Sequence, residues 1–398
     1  MYALSGFLNF RHKTILLLSL LGLCSLNPFF IWKFSTELRA LVLALLIPLF
    51  FLENKIYLWR IMIGFFIGSV GFFYFYLVGN SIFGCTYSFA FLFLIYQFDK
   101  ESIVQVYSVF KSLFTLTLIP GLVLWLYHYT TGDFLAFSIG QIEPILNEIK
   151  ENKGQVYIVY PLAVVLDHMV SGAGYRFFGP YDEPGVVGTF SALFLISERL
   201  DFKKFENLIL LVCGALTFSL AFYILVSFAY LFFLLKRPVY IVPLLALLLL
   251  VPIVSKTEIF QERITHRLQI SSDGFSGDNR SSEALDSTFN NWIASDASVL
   301  FLGVVDYGKT SDSSWKQIPV RTGILGGFMF LTVLAFFVFR FLRVIDFYTL
   351  IFIMAFLASI YQRPNVITPA YLILLAAGVA YVVARPAKNT VRSTNEGA

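Results

Sequence analysis

Long apolar runs alternate with short polar gaps along most of the chain. The runs cover residues 14–32, 38–52, 61–78, 82–98, 103–127, 185–197, 208–235, 239–254, 323–339, 347–361 and 367–384. They are continuous and lack the period-two alternation of a barrel strand, so they predict helices. A weaker run at 156–169 is cut by Pro161 and carries Asp167 and His168. It reads as a re-entrant or interfacial helix. Run 208–235 is either one helix or two short ones meeting near Thr217-Phe218-Ser219.

Composition says what surrounds these helices. The chain is 58% hydrophobic and 18% aromatic with 14% charged residues, against roughly 25% charged in a soluble domain. Its 45 Phe and 21 Tyr exceed what one globular core buries. Lipid must then be the solvent for much of the surface, where every backbone polar group needs an internal partner. The expected fold class is all-α: a polytopic membrane helix bundle of about 12 transmembrane helices with two large extracytoplasmic loops. The first run follows Arg11-His12-Lys13, and no small-residue cleavage site comes after it. It reads as an uncleaved first helix.

Net charge is only +4 and unevenly placed. Arg11 and Lys13, Lys55 and Arg60, Arg199 with Lys203 and Lys204, Lys236 and Arg237, Arg340 and Arg343, and Arg385, Lys388 and Arg392 fall at alternate ends of runs. The positive-inside rule puts them in the cytoplasm together with both termini, leaving 128–184 and 255–319 outside. With Lys203, Lys204, Lys236 and Arg237 all inside, two short helices across 208–235 resolve the parity. The alternative makes 156–169 a true span. The chain then divides into N-terminal helices 1–127, an outer loop 128–184, central helices 185–254, a large outer loop 255–319, C-terminal helices 320–384 and a cytoplasmic tail 385–398.

Nucleotide, zinc-protease and C-x-x-C signatures are absent, and the four histidines show no ligand spacing, so neither metal nor cofactor is expected. Cys24, Cys85 and Cys213 sit inside apolar runs and read as buried thiols. Loop 255–319 holds six Lys/Arg against nine Asp/Glu, which excludes a general polyanion-binding field such as nucleic acid needs. The confident spans are almost empty of charge, and polar residues gather in the two outer loops.

Chemistry is concentrated in two segments. Tyr175-Arg176-Phe177-Phe178-Gly179-Pro180-Tyr181-Asp182-Glu183-Pro184-Gly185 precedes an apolar helix, and its prolines and glycines impose a turn. Arg176 there is either a bidentate ligand for phosphate oxygens or an interfacial anchor paired with Asp182 or Glu183. A carboxylate beside it can take a proton from an attacking hydroxyl. In the second loop, 257–269 reads as a helix with Arg263 and Arg267 four apart on one face. A second helix starts at Ser281 or Ser282 with Leu285, Phe289, Trp292 and Ile293 as its apolar stripe. Arg280 stands just before it, either as part of a phosphate seat at a helix N-terminus or bridged to Asp278 or Glu283. Asp312 is a further candidate carboxylate or a turn former. Trp315 is an interface anchor or a sugar-stacking platform.

Four motifs in order, R-F-F-G-P-Y-D-E-P-G, L-T-F-S-L-A-F-Y, a loop running from D-N-R-S-S through F-L-G-V and S-D-S-S-W to R-T-G-I-L-G-G, and Y-Q-R-P-N, resemble the bacterial O-antigen and exopolysaccharide polymerases of the Wzy type. These belong, with the O-antigen ligases, to a GT-C-like membrane superfamily. Ligases of that superfamily usually carry a histidine before the R-T-G-like segment. Here Ser311-Asp312-Ser313-Ser314 stands there, which favours the polymerase branch. The resemblance implies a membrane glycosyltransferase that uses undecaprenyl-pyrophosphate-linked glycan as donor and acceptor. Its site would face the periplasm or cell exterior at the bacterial inner membrane, with surrounding lipid and a chain-length regulator protein as further partners. It maps the family's arginine-bearing loops onto Arg176 and Arg280, with Arg263 and Arg267 as rivals in the second. Asp182, Glu183 and Asp312 become the candidate bases, and Arg321, Tyr181 and Trp315 the candidate substrate contacts. The alternatives are a glycan ligase, a lipid-linked oligosaccharide flippase or other transporter, and a non-catalytic scaffold.

Overall fold

The structure, a computed structural model, describes residues 10–53, 57–77, 82–132, 140–141, 157–160, 163–166, 176–236, 270–271, 274–275, 283–304, 314–341, 345–362 and 368–385. Helices follow the apolar runs closely. They are α1 (Phe10–Ser25), α2 (Ser35–Glu53), α3 (Leu58–Leu77), α4 (Ile82–Gln97), α5 (Lys100–Thr131), α6 (Pro184–Ser197) and α7 (Phe205–Leu216). The chain continues through α8 (Leu220–Lys236), α9 (Glu283–Ile293), α10 (Ala297–Leu302), α11 (Gln317–Phe341), α12 (Phe347–Gln362) and α13 (Pro369–Ala384). Three of them, α3, α5 and α11, are long and apolar enough to cross a membrane, and eight shorter ones are also apolar. Large side chains such as Phe65, Phe73, Leu116, Phe328 and Phe339 are exposed on the long helices, while α6 and α13 are buried almost all round. A helix apolar on every face belongs inside, and these two form the centre of the bundle.

Local chemistry sets the ends. Asp99 caps α5 by accepting a bond from the Ser102 N–H at 2.7 Å, and Gly132 closes it in the left-handed region. The first apolar run does not stay helical to its end. Asn27, at positive φ, and Pro28 stop α1, and residues Phe29–Phe34 form a 3-10 turn.

Two further expectations change. The described residues of run 156–169 form no helix: Tyr157–Tyr160 (β2) and Ala163–Leu166 (β3) pair antiparallel, with Tyr157 opposite Leu166. Alternating β-branched and aromatic residues ahead of a proline favour extended backbone. Gly140–Gln141 (β1) joins as a third strand, and Ile270–Ser271 (β4) pairs with Gly274–Phe275 (β5). The described residues form the expected helical bundle, with short strands in both polar stretches. The span predicted at 239–254 and the loop helix predicted at 257–269 lie outside the described residues.

Run 208–235 breaks where its sequence weakens. Thr217 ends α7, Phe218 takes φ +46°, and Ser219 leads into α8. The two helices form a hairpin, because α8 returns to the end from which α7 starts. Lys204, at the start of α7, bonds Glu198 at the end of α6. Arg199 stacks on Tyr348 of α12, Tyr348 packs on Phe233 of α8, and Lys236 lies over Phe347.

At the same end Arg60 donates to the Gln97 carbonyl, Arg340 to the Phe98 carbonyl, and Arg385 meets Glu198. These six basic residues thus gather at one end of the bundle. At the opposite end lie the Ser25–Ala370 and Phe29–Pro180 bonds, the start of α6 and the start of α11.

Candidate functional site

The turn that begins with Arg176 is built against two elements at once. Gly179, at φ +59°, lets the backbone approach α5 so closely that a Cβ on Gly121 would sit 3.0 Å from the Gly179 Cα. Pro180 accepts the Phe29 N–H at 2.8 Å. Tyr181 is fully buried, stacks on Phe114 and shares a 3.0 Å hydroxyl hydrogen bond with Thr117. A substrate contact from Tyr181 is therefore corrected to a core role: the ring anchors the turn and has no open face. Asp182 and Glu183 follow, both half-buried, with Glu183 as N-cap residue and Pro184 opening the central helix α6.

Arg176 reaches across to the broken tip of α7. Its Nε donates to the Thr217 carbonyl at 2.8 Å and its Nη2 to the Phe218 carbonyl at 3.4 Å. The Phe177 N–H donates to the Leu216 carbonyl at 3.0 Å, and the Tyr223 hydroxyl donates to that of Ala215 at 2.8 Å. Segment 176–177 thus caps the C-terminus of α7 from another part of the chain, a favourable place for a cation. Gly188 of α6 packs on the same tip, where a Cβ would come within 2.7 Å of the Ser219 Cβ. One compact constellation results: an arginine fixed by backbone carbonyls, two carboxylates within seven residues of it, and the N-terminus of a buried helix.

The second outer segment forms its own cluster. In α9, Leu285 and Trp292 are buried as predicted, whereas Ile293 is exposed and leaves the stripe. Trp315 packs edge-on against Phe289, and Lys316 pairs with Asp286 at 2.6 Å. Arg321 lies half-buried in α11, two residues before a break at Gly323. Arg263, Arg267, Arg280 and Asp312 lie outside the described residues.

A group that sequence reasoning missed stands at the other end of α6. Glu198 is buried, and its carboxylate gathers Lys111 Nζ at 2.7 Å, Lys204 Nζ at 2.8 Å, Arg385 Nη1 at 2.7 Å and the Tyr381 hydroxyl at 2.7 Å. Lys111, buried in the middle of α5, also meets Glu206 at 3.0 Å. Burial alone would push the Glu198 carboxyl up. The hydrogen bonds from Lys111 and Lys204 outweigh it, and with the Lys111 charge and Tyr381 they hold the group down at about 2. The statement that the spans are almost empty of charge is corrected here, since Lys111 is eleven residues into an apolar helix. A lone lysine in such a run is itself a signal that a buried acid awaits it.

No protein-family model, curated protein or solved structure matches the chain.

Proposed function

We propose that this chain is a multi-pass protein of the bacterial inner membrane that polymerises lipid-linked oligosaccharide repeat units on the outer face, as a Wzy-type enzyme. The observation that carries the reading is the constellation of Arg176, Asp182 and Glu183. It sits at the end of the bundle opposite Arg60, Arg199, Lys204, Lys236, Arg340 and Arg385, and its turn is held by the α7 tip and α5. Positive-inside placement makes that end extracytoplasmic.

In the proposed reaction a hydroxyl of the acceptor repeat unit attacks the anomeric carbon of the donor glycan. The new C–O bond forms as the bond to the polyprenyl pyrophosphate breaks, and the leaving group carries away the electron pair. Glu183 is the favoured base for the hydroxyl proton, with Asp182 and Asp312 as rivals, and a single displacement gives inversion. Arg176, joined by Arg280 from the second loop, stabilises the charge growing on the leaving oxygen. A preorganised donor of this kind contributes on the order of 3 kcal/mol, about a hundredfold in rate.

A transporter of the same lipid-linked units is the second reading, favoured by Lys111, because an ionisable group deep in an apolar helix often marks a transport path. Here, however, Lys111 is tied to Glu198 and Glu206.

Chain length on cells carrying Arg176→Ala, Arg280→Ala or Glu183→Gln, at matched protein levels, tests the proposal. Loss of long chains with single units still exported is the expected result. Lysine at 176 rescues only partly, because it keeps the charge but loses the planar fork. Loss of all exported units would point to transport. Normal chain length in all three variants would remove the site assignment.

A further inference from the structure

We propose that α9, α10 and the first turn of α11 form an elbow seated in the acyl-chain boundary of one bilayer leaflet, with phospholipid as its partner. The elbow is made by the break in α11. Gly323 has φ +62° and ψ −167°, a conformation for glycine alone, so the short outer piece of α11 leaves the line of the long inner one. The end of α10 closes onto that break. Gly303, at φ +88°, lies against the Arg321 backbone, and the Val304 N–H donates to the Val320 carbonyl at 2.7 Å. Any side chain at Gly323 would collide with the Phe301 carbonyl.

This fixes where the apolar side chains of α10 stand. Phe301 and Leu302 are 48% and 49% exposed at the break itself. Immediately below it, Ile324, Phe328 and Leu331 form an exposed stripe on α11 at 39%, 64% and 57%. Their spacing of four and three keeps them on one helix face. The exposed apolar face of a helix long enough to cross a membrane thus meets the end of α10 at Gly323, where Phe301 and Leu302 are exposed, and Ile293 of α9 is 55% exposed. Continuity with that face names the occupant: the lipid that covers Phe328 also covers Phe301.

The remaining chemistry fits a water–lipid boundary. Exposed Asn291, two residues from Ile293 and so on another face of α9, and exposed Asp296 between α9 and α10 mark the polar side of the elbow, and Trp315 lies with the Lys316–Asp286 pair beside it. Tryptophan and lysine gather at this depth because each joins an apolar body to a polar tip. A helix seated this way lies about 5–10 Å into the boundary. Arg321, adjacent to the Gly303 turn, is thereby fixed at the depth of lipid phosphates. The inference rests on the membrane reading alone and stands whether or not the chain polymerises glycan.

Nitroxide labels in the full chain, reconstituted in phosphatidylcholine–phosphatidylglycerol vesicles, test it. The variants are Phe301→Cys, Leu302→Cys, Phe328→Cys and Asn291→Cys; the native cysteines described are buried. Relaxation by oxygen, which partitions into lipid, is compared with relaxation by a water-soluble nickel chelate. Labels at 301 and 302 are expected to match the oxygen preference at 328, while the label at 291 prefers the chelate. Chelate access at 301 and 302 equal to that at 291 would put the elbow in water and overturn the proposal. Protection from both reagents at 301 and 302, with 328 open to oxygen, would mean that a protein covers the elbow, which overturns it equally.

Discussion

Replacing Glu198 by Gln removes the one carboxylate on which four donors converge, and its cost can be worked from the geometry. Lys111 would stay buried with Glu206 at 3.0 Å and the Asn207 amide oxygen at 3.5 Å as its described partners. Breaking a buried ion pair from one side costs roughly 3–5 kcal/mol. Independently, a carboxyl lowered from 4.5 to about 2 corresponds to about 3 kcal/mol favouring the ionised, folded form. The sign follows from the direction: a depressed carboxyl stabilises fully above its unfolded value near 4.5, and that stability is lost as pH falls toward about 2. Roughly half should be gone by pH 3. Thermal unfolding of the purified protein in detergent reads this directly. At pH 7 Glu198→Gln should melt roughly 5 °C or more below the parent, and the gap should narrow between pH 4.5 and pH 3. Adding Lys111→Met should recover part of the loss, because it withdraws the stranded cation, while Lys204 and Arg385 are exposed enough to hydrate. Equal melting temperatures at pH 7, or a gap unchanged down to pH 3, would refute the hub as a source of stability.

Two other outcomes are expected. Gly188→Ala should destabilise the protein by about 1–3 kcal/mol, since its Cβ meets the α7–α8 tip. Gly327→Ala, with open space around it, should not, and a thermal scan of both variants compares them. Maleimide should label Thr131→Cys and Ser287→Cys in intact cells but Lys203→Cys only after permeabilisation; labelling of all three from outside would reverse the assigned sides.

The long helices were legible because burial in lipid or in a bundle leaves the same mark, an unbroken apolar run, and the α7–α8 break because Thr217-Phe218-Ser219 interrupts one. The 157–166 strand pair was hidden because a short apolar stretch fits helix and strand alike, and only its β-branched content argued otherwise. The turn around Arg176 was visible through its prolines and glycines, but its partner was not. Carbonyls at a helix break carry no residue signature, so a caps-in-trans arginine and a phosphate-binding arginine look the same in sequence. Tyr181 shows the reverse error, a polar tip taken for a ligand contact where the ring fills the core.

Depth was the quantity least available from the pattern of runs, and it bears most on function. The candidate turn and the Glu198 hub are separated by α6 alone, whose 14 residues span about 21 Å. A bilayer's hydrocarbon core is about 30 Å thick, so both cannot lie at undisturbed membrane surfaces. The neighbouring helix α5 overshoots both: from Lys111, at the hub, it runs back to Lys100, and from Gly121, at the turn, it runs on. Gly121 of α5 meets the turn at Gly179, and α5 continues to Thr131, roughly 15 Å farther outward. The turn at Gly179 therefore lies below the level at which α5 ends. Under the proposed function, arginine and carboxylates at that depth would meet a pyrophosphate whose lipid tail never leaves the bilayer. At an exposed loop tip the same residues would have to draw that headgroup outward and face bulk water, where each arginine contact is worth far less.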